Sequence, residues 1–234
     1  RGDCPAQRGA RAPSGNAGAG MIISRGRAYI FVHIPKTGGT SLALALEARA
    51  MKDDIMLGDT PKACKRRRRL VDVETRGRLW KHSTLADAEG LITSQDMDQC
   101  FVFTMVRNPW DRMVSYYHWL RMQSFDHPAV RLAKEMSFAG FLSDPLTQAG
   151  QRAAPAAHYV RDGEGRDRSD LMIRLEHFEQ DARPLMDHLG FELQLPHANS
   201  SDGRGHYRSH YDASTRDIVA EICAEDIGRF GYAF

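Results

Sequence analysis

Residues 29–50 read YIFVHIPKTGGTSLALALEARA, which predicts a buried strand, a glycine loop and a helix in direct succession. The run 29–34 is apolar and rich in β-branched and aromatic side chains apart from His33, as in an interior strand of a parallel sheet. Pro35 ends the strand, and the leucines and alanines after Ser41 predict a helix. This order places the loop at a helix start, where unpaired backbone N–H groups attract anions.

The loop itself, PKTGGTS at residues 35–41, combines one lysine, two glycines and three hydroxyls within seven residues. The glycines allow a tight turn and a close approach to a ligand, and Thr40 or Ser41 is expected to cap the helix. We therefore predict a site for one phosphate-like group; an ordinary strand-to-helix turn with a surface lysine is the alternative. The loop is not a Walker A sequence, GxxxxGK[ST], because Lys36 precedes the glycines.

Composition and charge narrow the class of protein. The 234 residues are 42% hydrophobic and 26% charged, which favours one α/β domain with a full core. A net charge of only +2 does not indicate a nucleic-acid-binding protein, and no stretch approaches the ~18 apolar residues of a membrane span. The four cysteines are far apart, so the sequence predicts neither a zinc site nor a disulfide framework and favours a cytoplasmic location.

The first 20 residues are rich in Gly, Ala, Pro and Arg and contain no apolar signal-peptide core. They predict a disordered N-terminal tail at 1–20, followed by a single domain at 21–234. Met21, directly before the first predicted strand, is a candidate natural start.

Two features between the main motifs have alternative interpretations. The basic run KACKRRRRL at 62–70 suits a solvated helix face, with an anionic acceptor as the alternative ligand. Further on, Thr84 and Asp87 have capping-box spacing and predict a short helix just after His82. The positive end of that helix would keep the His82 imidazole neutral and able to accept a proton.

A second strand-to-helix switch follows at QCFVFTMV, residues 99–106. Asn108 can cap the next helix and Pro109 can occupy its first turn. Helical spacing predicts a buried stripe at Trp110, Met113, Val114, Tyr117 and Leu120. We expect Arg107 at the strand end and Ser115 on the other side of the helix to face one crevice. A surface ion pair and an ordinary exposed serine are the alternatives for these two residues.

The loop PKTGGTS, followed about seventy residues later by VRNPWDRMVSYYHW at 106–119, resembles the two nucleotide-binding motifs of sulfotransferase family 2. These carbohydrate-type enzymes use 3′-phosphoadenosine 5′-phosphosulfate (PAPS) as sulfate donor. KHSTLAD at 81–87 resembles the segment in which heparan 2-O-type members of the family place their histidine base, and DIGRFGYAF at 226–234 resembles the C-terminal end of the group.

The resemblance implies a role for each matching residue. The 5′-phosphosulfate would be held by Lys36, Thr37, Gly38, Gly39, Thr40 and Ser41. The 3′-phosphate would be held by Arg107 and Ser115, with Tyr207 and Arg208 from a loop that closes over it. His82 would remove the acceptor proton, and Lys36 would stabilise the bridging oxygen as 3′-phosphoadenosine 5′-phosphate (PAP) leaves.

The expected fold is a P-loop-like, open, mostly parallel sheet flanked by helices. The expected partner is a hydroxyl-bearing acceptor, either a carbohydrate or a small metabolite, without nucleic acid and without a catalytic metal. His206 and His210 have metal-pair spacing, but no third ligand is evident. The rival functions are a P-loop-like nucleotide-dependent kinase, disfavoured by the missing Walker A order, and a non-catalytic nucleotide- or glycan-binding module, disfavoured by Lys36 together with His82.

Overall fold

A computed structural model of the protein describes residues 18–195 and 207–234. The strands are β1 (Ile22–Ser24), β2 (Tyr29–Val32), β3 (Ile55–Met56), β4 (Phe101–Val106) and β5 (Leu171–Arg174). The helices are α1 (Gly39–Ala48), α2 (Pro61–Arg67), α3 (Ser94–Gln99), α4 (Pro109–Arg121), α5 (Pro128–Glu135), α6 (Phe138–Ser143), α7 (Pro145–Ala153), α8 (Ala156–Val160), α9 (Phe178–Asp181), α10 (Arg183–Leu189), α11 (Ala213–Ile222) and α12 (Ala224–Phe230). None of these helices is long and apolar enough to cross a bilayer.

The described chain forms two compact units, of which the first comprises residues 18–106 and 156–195. It contains one five-stranded sheet in the order β3-β1-β2-β4-β5. Strands β2, β4 and β5 pair in parallel, whereas β1 is antiparallel to both β2 and β3. Four strands therefore run the same way, which confirms the predicted α/β class with an open, mostly parallel sheet.

Both predicted interior strands are confirmed, each two residues shorter at one end than expected. Successive side chains of a strand point to opposite faces, so each strand contributes to two cores. Phe31 and Phe103 pack on one face with Leu42 and Leu46 of α1. Ile30 and Val102 lie in a separate cluster on the other face. Burial on both faces is the reason that β2 and β4 read as continuous apolar runs.

The second unit comprises residues 107–155 and 207–234 and is helical. Asn108 caps α4 by accepting a hydrogen bond from the Trp110 backbone N–H at 3.1 Å, and Pro109 occupies the first turn, both as predicted. All five residues of the predicted stripe are buried. Four of them, Trp110, Met113, Tyr117 and Leu120, form the core of this unit with residues from α5, α6 and α11.

Three residues of the predicted disordered tail are packed in the first unit. Ala19 is buried, and the Gly18 carbonyl accepts a hydrogen bond from the Asp59 N–H at 2.7 Å. The Met21 N–H donates to the Lys81 carbonyl, which attaches this segment to the residue before His82. Residues 1–17 lie outside the described part of the chain.

The basic run at 62–70, which spans α2 and the 3₁₀ turn after it, has a role that neither sequence interpretation included. Four of its side chains donate hydrogen bonds to backbone carbonyls of residues 47–58, pairing Lys62 with Glu47, Arg66 with Asp54, Arg67 with Gly58 and Arg69 with Lys52. These bonds satisfy carbonyl groups at the C-terminal end of α1 and in the segment that connects α1 to α2. Lys65 and Arg68 are exposed.

Candidate active site

The loop between β2 and α1 has an unusual backbone. Lys36 has a φ of 66° and Gly38 a φ of 84°, so both lie in the left-handed region. For a residue with a side chain this conformation carries strain, and such strain concentrates at functional sites. The loop therefore holds Lys36 in a conformation that ordinary turn formation does not require.

The start of α1 corrects the predicted cap. Gly38 is the N-cap residue and provides no side-chain hydrogen bond, so neither Thr40 nor Ser41 caps the helix. Because the helix begins directly after the left-handed Gly38, Thr40 and Ser41 lie inside its first turn. Thr37 is buried, and its hydroxyl donates to the Ile34 carbonyl at 2.9 Å. That hydroxyl hydrogen is committed to the loop and is not available to an anion.

The two glycines of the loop permit close packing underneath it. A Cβ atom on Gly38 would lie 2.8 Å from Leu175 Cδ1, and one on Gly39 would lie 2.4 Å from Cδ2 of His33. The contact with the His33 ring would force the loop away from the sheet, whereas at Gly38 the left-handed φ is what requires glycine. The His33 ring is therefore the floor on which the first turn of α1 rests.

His82 is held beside this floor by a hydrogen bond that fixes its tautomer. Its Nδ1 lies 2.9 Å from the His33 carbonyl oxygen, and the two imidazole centroids are 4.5 Å apart. A carbonyl can only accept, so Nδ1 carries the hydrogen and Nε2 carries the lone pair. This arrangement leaves Nε2 as the basic atom.

His82 is neutral, but for a different reason from the one expected. Thr84 and Asp87 exchange the predicted reciprocal hydrogen bonds at 2.9 and 3.0 Å, yet residues 84–92 form turns and no helix. The predicted helix is wrong, so no helix dipole acts on the ring. Burial instead, together with the positive charges of Lys81 and Lys36, lowers the pKa of His82 to about 4. The His33 ring touches both Gly39 and the His82 ring, so the loop that carries Lys36 lies near His82.

Acid should destabilise the protein through the buried histidines His33 and His82. Burial lowers the pKa of both His33 and His82, so the unfolded chain takes up protons near pH 6.5 whereas the native state keeps both rings neutral. The stabilisation of the folded state that these two neutral rings provide is complete above about pH 6.5 and is lost as the pH falls toward 4. We expect the free energy of unfolding, measured with urea, to fall by a few kcal/mol over this window. His82→Asn should show a shallower fall, and an identical slope in both proteins would contradict this origin.

Arg107 and Ser115, the predicted 3′-phosphate ligands, lie in the second unit. The Arg107 side chain is mostly buried and pairs with Asp111 one turn further on, with Nε and Nη2 at 2.8 and 2.7 Å from Oδ2. Ser115 lies on α4 outside the buried stripe and is partly exposed, as predicted. Any phosphate bound by Arg107 would have to share the guanidinium with Asp111.

Tyr207 and Arg208 lie at the end of the loop predicted to close over the nucleotide, in a 3₁₀ turn that spans Tyr207–His210. Arg208 donates to the Phe234 carbonyl oxygen at 2.9 Å, and the Tyr207 ring meets the Phe234 ring edge-on. Asn108 donates to Ala233 at 3.0 Å. These contacts attach the last residues to the start of α4; the remainder of the loop, including His206, lies outside the described residues.

Thus the first unit brings Lys36, the glycine loop and His82 together, while the second holds Arg107 and Ser115. Sequence reasoning gave no role to Asp111 or Ser83. The i,i+4 spacing of Arg107 and Asp111 was a signal for their ion pair. Ser83 had no such signal, because its buried position depends on the turn that replaces the predicted helix.

Within residues 18–195 and 207–234 no cluster of three His, Cys, Asp or Glu side chains could hold a metal ion.

Comparison with known proteins identifies the family. No curated protein matches the chain. One similar solved structure is the crystal structure of mouse sulfotransferase SULT7A1 complexed with PAP, 16% identical over 88% of this chain and 85% of that chain, with a TM-score of 0.45. The model of sulfotransferase family 2, described as "Sulfotransferase family", matches residues 20–233. That match spans nearly the whole chain, which therefore belongs to the sulfotransferase family.

Proposed function

We propose that the protein transfers a sulfuryl group from PAPS to a hydroxyl of a carbohydrate or small metabolite. The observation that carries the proposal is the position of the strained Lys36 loop, at the start of α1, near a neutral histidine whose Nε2 bears the lone pair. The ammonium group of Lys36 and the N-terminus of α1 can stabilise the negative charge that develops on the phosphate as the sulfuryl group leaves it. A neutral imidazole can accept the proton that the acceptor hydroxyl loses.

In this mechanism His82 Nε2 accepts the acceptor's proton while the acceptor oxygen forms its bond to sulfur. Lys36 donates a hydrogen bond to the oxygen that bridges sulfur and the 5′-phosphate, and it stabilises the charge left there when the S–O bond breaks. The His33 carbonyl holds the hydrogen of Nδ1 and so orients Nε2 throughout. Charge stabilisation of this kind commonly contributes a factor of 10² to 10³ in rate.

Arg107 and Ser115 are proposed to bind the 3′-phosphate. Arg107→Ala should weaken PAP binding by about tenfold or more, since a charge-assisted contact is lost, and Ser115→Ala should have a smaller effect. Adenosine 5′-phosphosulfate lacks the 3′-phosphate, so calorimetry should show that it binds the wild type and these two variants with the same affinity. Asp111→Asn is the matched control, because it frees Arg107 and should not weaken PAP binding. Equal losses for both nucleotides would contradict the assignment.

A titration tests the proposed donor against the rival nucleotide. The protein should bind PAP in the presence of a chelator and more tightly than it binds ATP with Mg²⁺. Tighter binding of ATP with Mg²⁺ would favour the kinase alternative and contradict the proposal. PAP binding without any sulfate transfer to a broad acceptor panel would favour a non-catalytic module.

The cytoplasmic location stays a prediction from the cysteine spacing.

A further inference from the structure

An exposed tryptophan lies beside the candidate base. Trp80 is 44% exposed, and its indole meets the His82 imidazole at 87° with ring centroids 5.1 Å apart. Several other large hydrophobic side chains are exposed in the described part of the chain: Met51, Val71, Met122, Met136 and Leu146. Trp80 is the aromatic member of this set, and it contacts the residue that the mechanism uses as base.

The backbone around Trp80 is fixed from below. Ser83 is fully buried, and its hydroxyl accepts a hydrogen bond from the Trp80 N–H at 2.9 Å. The same hydroxyl lies 3.0 Å from the Arg78 carbonyl and 3.1 Å from the Trp80 carbonyl, either of which can accept its hydrogen. Leu79 packs inward against the core. The turn therefore presents the indole outward in a set position relative to His82.

We propose that Trp80 is the acceptor-binding platform and that the acceptor is a pyranose whose C–H face stacks on the indole. This inference rests on the proposed function. The face of an aromatic ring carries partial negative charge, which attracts the partially positive C–H groups on one side of a sugar ring. A sugar stacked there would carry its hydroxyls at the level of the neighbouring His82.

The surroundings of Trp80 favour a sugar over a phenol or an alkyl alcohol. A wholly apolar acceptor gains most from an enclosed slot, whereas Trp80 is 44% exposed to solvent. Its chain neighbours include the exposed Arg78 and the partly exposed Lys81, whose ammonium lies 3.8 Å from Asp59. Both cations can donate hydrogen bonds to the hydroxyls or carboxylates of a glycan. An exposed indole with cationic donors at neighbouring positions of the chain matches a ring that has one apolar face and a polar edge.

The test uses Trp80→Ala, Trp80→Phe and, as a matched control, Val71→Ala, another exposed apolar residue of the same unit. The probes are cello-, chito- and uronic-acid-containing oligosaccharides in one arm, with 4-nitrophenol and butanol in another. With labelled PAPS, we expect sulfation in the oligosaccharide arm. Trp80→Ala should raise the oligosaccharide KM by about tenfold or more, with kcat changed by less than about threefold. Trp80→Phe should restore most of the affinity, and Val71→Ala should behave as the wild type.

Tryptophan fluorescence gives a readout that a purely structural role would not produce. Of the other two tryptophans, Trp110 is buried and Trp119 packs against Tyr116 and Phe125, both in the second unit, so oligosaccharide binding should change the emission mainly through Trp80. Trp80→Phe should remove this change while retaining turnover. PAP affinity, measured in parallel, separates two failures. A wild-type protein that does not bind PAP would overturn the proposed function itself. PAP binding without transfer to any acceptor would also overturn the proposed function. Normal PAP binding with transfer confined to phenols or alcohols, or an unchanged oligosaccharide KM in Trp80→Ala, would overturn the role of Trp80 alone.

Discussion

Replacing His82 with asparagine should lower the single-turnover rate of sulfate transfer by about 10² or more and leave PAP affinity nearly unchanged. Asparagine is the informative substitution because its amide N–H₂ can occupy the position of Nδ1 and keep the hydrogen bond to the His33 carbonyl. The variant therefore removes the lone pair at Nε2 while it preserves the local structure. Rapid-quench measurement with labelled PAPS gives the rate, and calorimetry gives the affinity.

The competing interpretation is that His82 is a packing residue, since it is largely buried between His33 and Trp80. In that case His82→Asn would lower the melting temperature and leave the rate per folded molecule normal. Such a result would contradict the role of His82 as base and direct the search to His33, His118 or Glu176. His82→Ala, which loses both the base and the hydrogen bond, should be the less stable of the two variants.

Replacing Lys36 with methionine should damage both binding and chemistry. The substitution keeps the length and the apolar stem of the side chain but removes the charge, so PAP affinity should fall by about tenfold and the transfer rate by a further 10² to 10³. The left-handed backbone at residue 36 imposes similar strain on both side chains, so folding should be little affected. Titration calorimetry and single-turnover kinetics measure the two effects separately.

Lys65→Met is the matched control, because Lys65 is an exposed lysine on α2 in the same unit. It removes one positive charge without touching the loop and should leave both affinity and rate within about twofold of the wild type. Equal effects of the two substitutions would show that Lys36 acts only through the general field of the protein. A normal rate in Lys36→Met would contradict its role at the bridging oxygen.

The strand-loop-helix order was predictable because it depends on local patterns. The apolar runs of β2 and β4, the cap at Asn108 and the buried stripe of α4 each follow from the residues inside one element. Periodicity and cap chemistry act over a few residues, and here no tertiary contact overrides them. The resemblance of PKTGGTS and KHSTLAD to family motifs then directed attention to Lys36 and His82.

The features that sequence reasoning missed depend on contacts between distant segments. The hydrogen-bond pattern of Thr84 and Asp87 was expected to start a helix, but Leu85 N–H instead donates to the Tyr159 carbonyl, and the chain continues as turns. The neutrality of His82 comes from burial beside His33, 49 residues earlier in the chain. Likewise, the basic run on α2 serves carbonyls from an earlier segment. A single sequence carries no local signal for such partners.

One experiment tests the central claim most directly, which is that this chain moves a sulfuryl group from PAPS with Lys36 and His82 at the centre of the chemistry. Labelled PAPS is mixed with excess enzyme, a chelator and a broad acceptor panel that includes the oligosaccharides, 4-nitrophenol and butanol, and the appearance of label on any acceptor is followed within one turnover. The account predicts transfer by the wild type and a loss of about 10² or more in both His82→Asn and Lys36→Met. Wild-type protein that binds PAP but transfers no label, or two variants that transfer it at the wild-type rate, would contradict the account.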